Sequence, residues 1–517
     1  MKSLLIANRG EIAIRVARTA ADMGIRTVSV HSEDDATSLH TRRTDETRAL
    51  KGVGVAPYLD IAGIVAAAKD AQCDAIHPGY GFLSENPAFA KACADAGITF
   101  VGPTPESLDL FGDKAKARAL AEKVGVPVVP GISKATTLEE AGAFLKTHGA
   151  IMIKAIAGGG GRGMRPVTSE ADLDEAFARC QSEAKQAFGN GDVYVERLFA
   201  RARHIEVQVI GDGTGTVSHL WERECSVQRQ RQKIIEVAPA TTLSPDVRQT
   251  LLDAAVKLAA AAKYRGAGTF EFLVDATDNK TIAFIEANAR LQVEHTVTEE
   301  VTGIDIVRAQ LAIASGSTLA GLALTQDKIP SPRGIAVQAR VNMETMAADG
   351  SARPAGGTIS AFEPPSGPGI RVDAFGYSGY RTSPRFDSLL AKVIVHSPSA
   401  GLADAMAKTY RALSEFRITG VATNIGFLQT LLKHADVRSG AVHTRFVEER
   451  ISELLQGEHP AFYFAQQSAA AQPRLAGARV DSKDPLAVLN HGLDGREMLR
   501  NSPSESSGGG DIGGPDG

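Results

Sequence analysis

LLIANRGEIAIRVARTAADMGIRTVSV, residues 4–30, is the stretch on which the fold turns. Leu4-Leu5-Ile6-Ala7 is apolar without a break, Asn8-Arg9-Gly10 turns, and Ile12, Val16 and Ala20 recur at helical spacing before a second apolar run, Thr27 to Val30. That is a strand, a helix and a strand. The pattern repeats through Ile61–Ala68, Ala75-Ile76 and Ile98–Val101, so the first hundred or so residues read as a doubly wound parallel sheet. An N-terminal α/β domain is expected over residues 1–113.

Further along, Thr137-Leu138-Glu139-Glu140 has the form of a capping box opening a helix, followed by the strand Ile151–Lys154 and a glycine-rich loop, Gly158–Gly163. A small domain covering a nucleotide fits this order. Ser244-Pro245 opens a helix with Val247, Leu251, Ala254 and Leu258 on one face, and strand-like runs Thr269–Leu273 and Ile282–Ile285 follow. After about residue 330 glycine and proline become frequent, with short apolar runs at Ile335–Val341 and Leu389–Val395 before a last helix. The folded part is expected to end near Gly457. The Ser/Gly-rich end, Ser502 to Gly510, makes 458–517 an expected flexible linker, and a linker there suggests the front part of a longer polypeptide.

At 517 residues the chain exceeds one compact core, so two or three packed units are expected. Hydrophobic residues at 43% and charged residues at 22% are ordinary globular usage, and a formal net charge of -4 argues against a polyanion-binding protein, hence against nucleic acid as a partner. Cys73, Cys93, Cys180 and Cys225 lack the spacing of a zinc site or a secreted disulfide framework, which fits a reducing cytoplasm. Lys2 runs directly into Leu4–Ala7, with no apolar stretch long enough for a signal peptide or a membrane span.

Four segments carry candidate chemistry. Gly158-Gly159-Gly160-Gly161-Arg162-Gly163-Met164 follows a strand ending in Lys154; without side chains its backbone N–H groups can wrap a polyphosphate while Lys154 adds a point charge, or it is a plain surface loop. It is neither a Walker loop nor a dinucleotide fingerprint, because the spacings of both are absent. Glu271 and Glu286 each interrupt an apolar strand, and buried acids need a metal or a cationic partner, so Mg²⁺ and salt bridges to arginine both stand. Arg290-Leu291-Gln292-Val293-Glu294-His295 places a cation, an amide and an acid together: Arg290 and Gln292 can hold a small planar anion with Glu294 as general base, or the stretch is a solvated turn. His295, with no second histidine at i+4, reads as structural. Trp221–Lys233, polar and alternating, suits either a strand lining an anionic ligand or a solvent-exposed strand, and taken alone exposure is favoured. Cys225 has no adjacent histidine and is not read as a nucleophile.

Ile6-Ala7-Asn8-Arg9-Gly10-Glu11-Ile12-Ala13 resembles the opening of biotin carboxylases, and the likeness continues in family order. His77-Pro78-Gly79-Tyr80-Gly81-Phe82-Leu83-Ser84-Glu85-Asn86, Gly112-Asp113-Lys114, the glycine loop and Gln292-Val293-Glu294-His295 resemble the family's signatures, from about residue 3 to about 450. The resemblance implies a biotin carboxylase subunit or domain of a biotin-dependent acyl-CoA carboxylase. It implies an α/β ATP-grasp fold: the N-terminal domain, an ATP-grasp domain over 114–330 with a lid at about 132–203, and a C-terminal α+β domain over 331–450.

By position in those motifs, Lys114 and Lys154 would contact the phosphates of ATP, Gly159, Gly160, Gly161, Gly163 and Met164 would cover them, and Glu196, Leu198, His204 and Gln228 would hold adenosine. Glu271 and Glu286, with Asn288, would bind Mg²⁺ or Mn²⁺. Arg290, Gln292 and the Val293 backbone would hold bicarbonate, which Glu294 would deprotonate for attack on the γ-phosphate; Lys233 would stabilise carboxyphosphate and Arg340 the biotin enolate. The resemblance also implies a cytoplasmic ligase, a homo-oligomeric assembly of the kind common in the family, no membrane partner, and a biotin carboxyl carrier with a carboxyltransferase on separate chains or beyond the linker. Three departures qualify it. Arg231 replaces a histidine expected near the ribose, Glu286-Ala287-Asn288-Ala289 alters the segment before Arg290 while keeping its charges, and no Met-Lys-Met biotin acceptor occurs. Another ATP-grasp carbon–nitrogen ligase and a non-catalytic ATP-binding scaffold are the competing readings; the first is opposed by Gln292–His295 and the second by the complete catalytic set.

Overall fold

The computed structural model describes residues 1–132, 134–156 and 163–463. The first unit runs β1 (Ser3–Ile6), α1 (Gly10–Asp22), β2 (Arg26–His31), β3 (Glu46–Ala49), α2 (Ile61–Asp70), β4 (Ala75–His77), α3 (Pro87–Asp95) and β5 (Thr99–Phe100). The sheet order is β3-β2-β1-β4-β5, all parallel, so the chain winds to one edge from β1 and then to the other. Leu4, Leu5 and Ile6 are fully buried because helices cover both faces. The loops after β1 and β4 meet at the switch point of such a sheet, where ligands usually bind. There the Asn8 amide donates to the Pro78 carbonyl at 2.7 Å and to that of Tyr80 at 2.8 Å. Gly79 makes this approach possible: its φ is +64°, and a Cβ would lie 2.7 Å from Asn8 Nδ2.

Helices α4 (Pro105–Gly112) and α5 (Lys114–Lys123) lead to a small antiparallel sheet. Its strands are β6 (Gly131–Ile132), β7 (Ile151–Ala155), β8 (Met164–Val167) and β9 (Val193–Arg197), in order β6-β9-β7-β8, with α6 (Leu138–His148) and α7 (Leu173–Phe188) packed on it. The capping box at α6 is complete: Thr137 Oγ1 accepts from the Glu140 amide, and the Glu140 carboxylate accepts from the Thr137 amide.

The largest sheet has eight strands in order β14-β13-β10-β11-β12-β15-β20-β19. It takes β10 (Ala202–Asp212), β11 (Val217–Arg229) and β12 (Gln232–Ala238), then, after α8 (Pro245–Ala261), β13 (Arg265–Asp275) and β14 (Ile282–Asn288). Helices α9 (His295–Thr302) and α10 (Ile306–Ala314) precede β15 (Ile335–Asn342). The short strands β16 (Glu344–Met346), β17 (Ala352–Pro354) and β18 (Ala361–Glu363) follow, then β19 (Ile370–Ala374) and β20 (Leu389–Ser397). Finally α11 (Leu402–Glu415), β21 (Arg417–Thr419) and α12 (Ile425–Lys433) pack near the sheet's far end. One sheet therefore runs across residue 330. Ordered structure also continues past Gly457, where Phe462 donates its amide to the Ser414 carbonyl at 2.8 Å. The part of the expected linker from 464 onward lies outside the described residues.

Exposure of Trp221–Lys233 is corrected by the structure in part: from Glu222 to Arg229 every residue is buried, while Gln230, Arg231 and Gln232 are exposed. One face of this sheet packs on α8 through residues such as Ile205, Val207 and Leu251. The other face carries charges that neutralise one another, so polar residues there are interior. Among the described residues no helix is long and apolar enough to cross a membrane.

Two histidines in the first unit tie stability to pH. Burial pushes the His40 and His77 rings down to about 4, against about 6.5 in an unfolded chain. Between those values the unfolded chain binds more protons, so stability falls as pH is lowered from about 6.5 towards about 4. Each ring is expected to cost about 2 kcal/mol at pH 5. Scanning calorimetry should show a melting temperature several degrees lower at pH 5 than at pH 7.5; an unchanged value would refute it.

Candidate active site

The site is built on one row of residues crossing four strands. In register, Glu286 on β14 faces Glu271 on β13, Glu271 faces Glu206 on β10, and Glu206 faces Arg223 on β11. Alternation along each strand puts these side chains on the polar face. Three carboxylates in a row would repel one another without cations between them.

Lys233 of β12 supplies one. Its Nζ donates to Glu206 Oε2 at 2.5 Å, Glu271 Oε1 at 2.8 Å and Glu294 Oε1 at 2.8 Å, which uses all three ammonium protons. Arg223, fully buried, donates to the other Glu206 oxygen at 2.5 Å. Arg340 of β15 donates to Glu294 Oε2 at 2.9 Å and to Glu236 Oε1 at 2.5 Å. Glu294 is thus held by two cations. Burial by itself raises its pKa, but Lys233, Arg340 and Arg223 outweigh burial and hold the carboxyl well below the usual carboxylate range. Glu271 is depressed in the same way, burial being outweighed by Lys233 and His204. The same acids hold the Lys233 ammonium well above its ordinary value despite its burial. Glu236 goes the other way: burial and the Glu294 charge raise it against Arg340.

His204 Nε2 lies 2.8 Å from Glu271 Oε2, while its Nδ1 is 2.9 Å from Gln228 Nε2. Because an amide nitrogen only donates, His204 Nδ1 accepts and Nε2 carries the proton facing Glu271. Asn288 Nδ2 donates to Glu271 Oε1 at 2.8 Å. Among the described residues, the His, Cys, Asp and Glu groups whose ligand atoms converge within 4.8 Å are His204–Glu206–Glu271 and Glu206–Cys225–Glu294. Glu286 stands outside both and pairs with Lys114 at 3.3 Å.

Beside this cluster runs the segment after β14. Arg290 donates to Glu85 Oε2 at 2.8 Å, to Gln292 Oε1 at 3.0 Å and to Asn288 Oδ1 at 3.0 Å. Glu85 belongs to the loop after β4, so the parallel sheet orients this arginine. The Gln292 Nε2 is buried without a hydrogen-bond partner. A buried donor left unpaired costs about 1–3 kcal/mol, and beside a guanidinium it favours a small anion.

A separate cavity of about 310 Å³ opens between α5, the small sheet and β14, lined by Lys114, Arg118, Ile156, Tyr194, Glu196 and Phe284 among others. Lys154 forms an ion pair with Glu196 at its side.

Three family models match the chain in order: Biotin carboxylase, N-terminal domain, over residues 1–108; Carbamoyl-phosphate synthase L chain, ATP binding domain, over 113–322; and Biotin carboxylase C-terminal domain over 338–449. A solved biotin carboxylase domain of a single-chain bacterial carboxylase is 49% identical, with a TM-score of 0.79, covering 88% of this chain and 98% of that one. The chain belongs to the biotin carboxylase family. Its fold is accordingly the ATP-grasp fold, and its activity is the family's, ATP-dependent carboxylation of biotin with bicarbonate by a ligase. The biotin carboxylase domain dimer of the Hydrogenobacter thermophilus 2-oxoglutarate carboxylase, solved with MgADP and bicarbonate, is 40% identical at a TM-score of 0.82, covering 89% of this chain and 99% of that one. Human mitochondrial pyruvate carboxylase is 49% identical over 462 residues, 88% of this chain; the chain spans only 38% of that relative's length.

Within this biotin carboxylase the expected residues fall into two groups. Glu271, Asn288, Arg290, Gln292, Glu294, Lys233 and Arg340 come together, and His204 and Gln228 join them beside Glu271, away from the cavity lining. Lys114 and Glu196 line the cavity. Leu198 donates its amide to the Ala150 carbonyl, and the Val293 carbonyl accepts from Lys392 at 3.1 Å. Gly159, Gly160 and Gly161 lie outside the described residues, while Gly163 accepts at 2.8 Å from the Ala155 amide and the Met164 carbonyl accepts from Arg231 at 3.4 Å. Sequence reasoning missed Glu206, Arg223, Glu236 and Lys392. A signal existed for Glu206, because His204, Glu206 and Gln208 alternate with Ile205, Val207 and Val209, the period of a strand with one polar interior face.

Proposed function

We propose that the carboxylation proceeds on these residues in the roles their motifs imply, and that the chain performs the first half-reaction of a larger biotin-dependent carboxylase. Lys114 and Lys154 contact the phosphates of ATP, with the glycine loop through Gly163 and Met164 covering them and Glu196, Leu198, His204 and Gln228 on the adenosine. Glu271 and Glu286, register partners on adjacent strands, form with Asn288 an all-oxygen donor set suited to Mg²⁺ or Mn²⁺. A metal there supplies neutralisation of phosphate charge. Arg290, Gln292 and the Val293 backbone hold bicarbonate, and Glu294 takes its proton.

The bicarbonate oxygen then bonds to the γ-phosphorus as the bond to ADP breaks, giving carboxyphosphate. Lys233 turns from the carboxylates to that anion. The C–O bond of carboxyphosphate to its phosphate breaks, the departing phosphate takes the proton of the biotin ureido nitrogen while Arg340 meets the negative charge that develops on biotin, and that nitrogen bonds to the carboxyl carbon. Lys233 and Arg340, which with Arg223 depress Glu294, are drawn towards the incoming anionic reactants, and Glu294 becomes a stronger base as they leave it.

The observation that carries this reading is Glu294 clasped by Lys233 and Arg340, two residues along the chain from Gln292, whose amide nitrogen is unpaired. Free biotin is expected to stimulate bicarbonate-dependent ATP cleavage by the folded chain; no stimulation would sink it. The reading extends to domain divisions near 113 and 330, to a reducing, cytoplasmic setting in keeping with four buried free cysteines, and to a carboxyl carrier, a carboxyltransferase and a homo-oligomer as partners. What supports these partners is that relatives are named as multi-domain carboxylases and as a domain dimer.

A further inference from the structure

Lys392 lies on β20, is fully buried, and takes no part in the roles described above. It is the direct cross-strand partner of Arg340 on one side and of Asp373 on the other. Two cations side by side in a sheet interior oppose each other unless each has its own acceptor. Arg340 goes to Glu236 and Glu294. The Lys392 ammonium goes to Glu11 Oε2 at 3.0 Å and to the Val293 carbonyl at 3.1 Å, with Asp373 Oδ2 at 3.8 Å. Burying a lysine costs several kcal/mol unless its protons are matched, and an apolar side chain would fill a sheet interior at no such cost. What the ammonium adds is a grip on Val293.

We propose that Lys392 is a positioning residue for Glu294 and for the bicarbonate segment. The Val293 carbonyl belongs to the peptide that joins Val293 to Glu294, so holding its oxygen fixes the plane from which the Glu294 side chain departs. The hold is anchored outside the large sheet. Glu11 opens α1 of the parallel domain, and its other oxygen accepts from the Tyr80 hydroxyl in the loop after β4. Asp373 accepts from Arg371 at 2.8 Å, and Arg371 donates to Glu299 on α9, the helix that begins directly after Glu294. Arg290 is held from the same loop by Glu85. The base and the anion donors are therefore registered against the parallel domain at two points, Arg290–Glu85 and Val293–Lys392–Glu11. A displacement of about 1 Å at a reacting group can cost about 10²-fold in rate.

The inference rests on the assignment of Glu294 as base, and its test separates the two. In Lys392→Met the Val293 carbonyl loses its donor. Turnover in the bicarbonate- and biotin-dependent ATPase is expected to fall about 10-fold to 100-fold and KM for bicarbonate to rise, with KM for ATP within about twofold of the parent. Glu11→Gln, which keeps the side-chain size, is expected to shift KM for bicarbonate in the same direction by a smaller factor. If Lys392→Met does not fold, the charge-balanced Lys392→Met with Glu11→Gln carries the measurement, and Glu11→Gln alone decides if neither folds. Unchanged bicarbonate constants in the folded variants, or equal rises in KM for both substrates, would overturn the proposal. A parent without bicarbonate-dependent activity would count against the assignment of Glu294 instead.

Discussion

Glu294→Gln is expected to lower biotin-dependent turnover by about 10²-fold to 10⁴-fold, the span that a positioned general base contributes. The replacement keeps shape and volume but cannot take a proton from bicarbonate. It also turns an amide nitrogen towards one of two cations, Lys233 or Arg340, that now donate to the two carboxylate oxygens. Neither is left without an acid: Lys233 keeps Glu206 and Glu271, and Arg340 keeps Glu236. The fold should therefore survive. Nucleotide affinity should be retained, since the cavity lined by Lys114, Tyr194 and Glu196 lies apart from Glu294. Steady-state ATP cleavage with and without biotin, beside a fluorescent-nucleotide titration, reads both quantities. Turnover within tenfold of the parent would move the base to another group.

The second large effect is on stability. Arg223 is fully buried and donates to Glu206 at 2.5 Å, Gln208 at 2.9 Å, Thr298 at 2.9 Å and Thr269 at 3.1 Å. Arg223→Met removes the cation and leaves Glu206, itself fully buried, with Lys233 alone. Breaking such a pair from one side costs about 3–5 kcal/mol, because the remaining charge keeps its desolvation penalty. A drop of several degrees in melting temperature is expected, and Arg223→Met with Glu206→Gln should recover part of it by removing the stranded charge. Calorimetry of the parent and both variants tests this; a single variant as stable as the parent would show that solvent or a new partner reaches Glu206.

Glu294 and Arg223 differ in how far the sequence announces them. Glu294 sits in a contiguous motif, whereas Arg223 lies in a segment whose hydropathy suggests water. The parallel unit is legible in residues 4–30 because strand and helix periods are local, and each apolar position there faces a nearby layer. The α6 capping box is legible for the same reason, since both of its bonds lie within four residues. Trp221–Lys233 reads as exposed, and from Glu222 to Arg229 is not, because local hydropathy cannot tell a polar residue in water from one paired across a sheet. Arg223 is interior because Glu206 sits opposite it and Gln208, Thr298 and Thr269 accept from its other nitrogens.

Family membership, the parallel fold at the start and the charged groups that lie in its motifs, Lys233, Glu271, Arg290, Glu294 and Arg340, follow from residue order, whereas Glu206, Arg223, Glu236 and Lys392 do not. The motifs that carry the former are contiguous strings whose succession is kept along the chain. Which charge neutralises which is a property of the folded sheet. Lys233 meets Glu294 across 61 residues and Arg340 meets Glu236 across 104, and Lys392 meets Glu11 from a distant part of the chain. Arg340–Glu236 is set by strand order and register in a sheet that runs through residue 330, and the other two by how α9 and α1 pack against that sheet. Desolvation makes each of them obligatory once formed, and nothing in the local pattern around either partner announces the other.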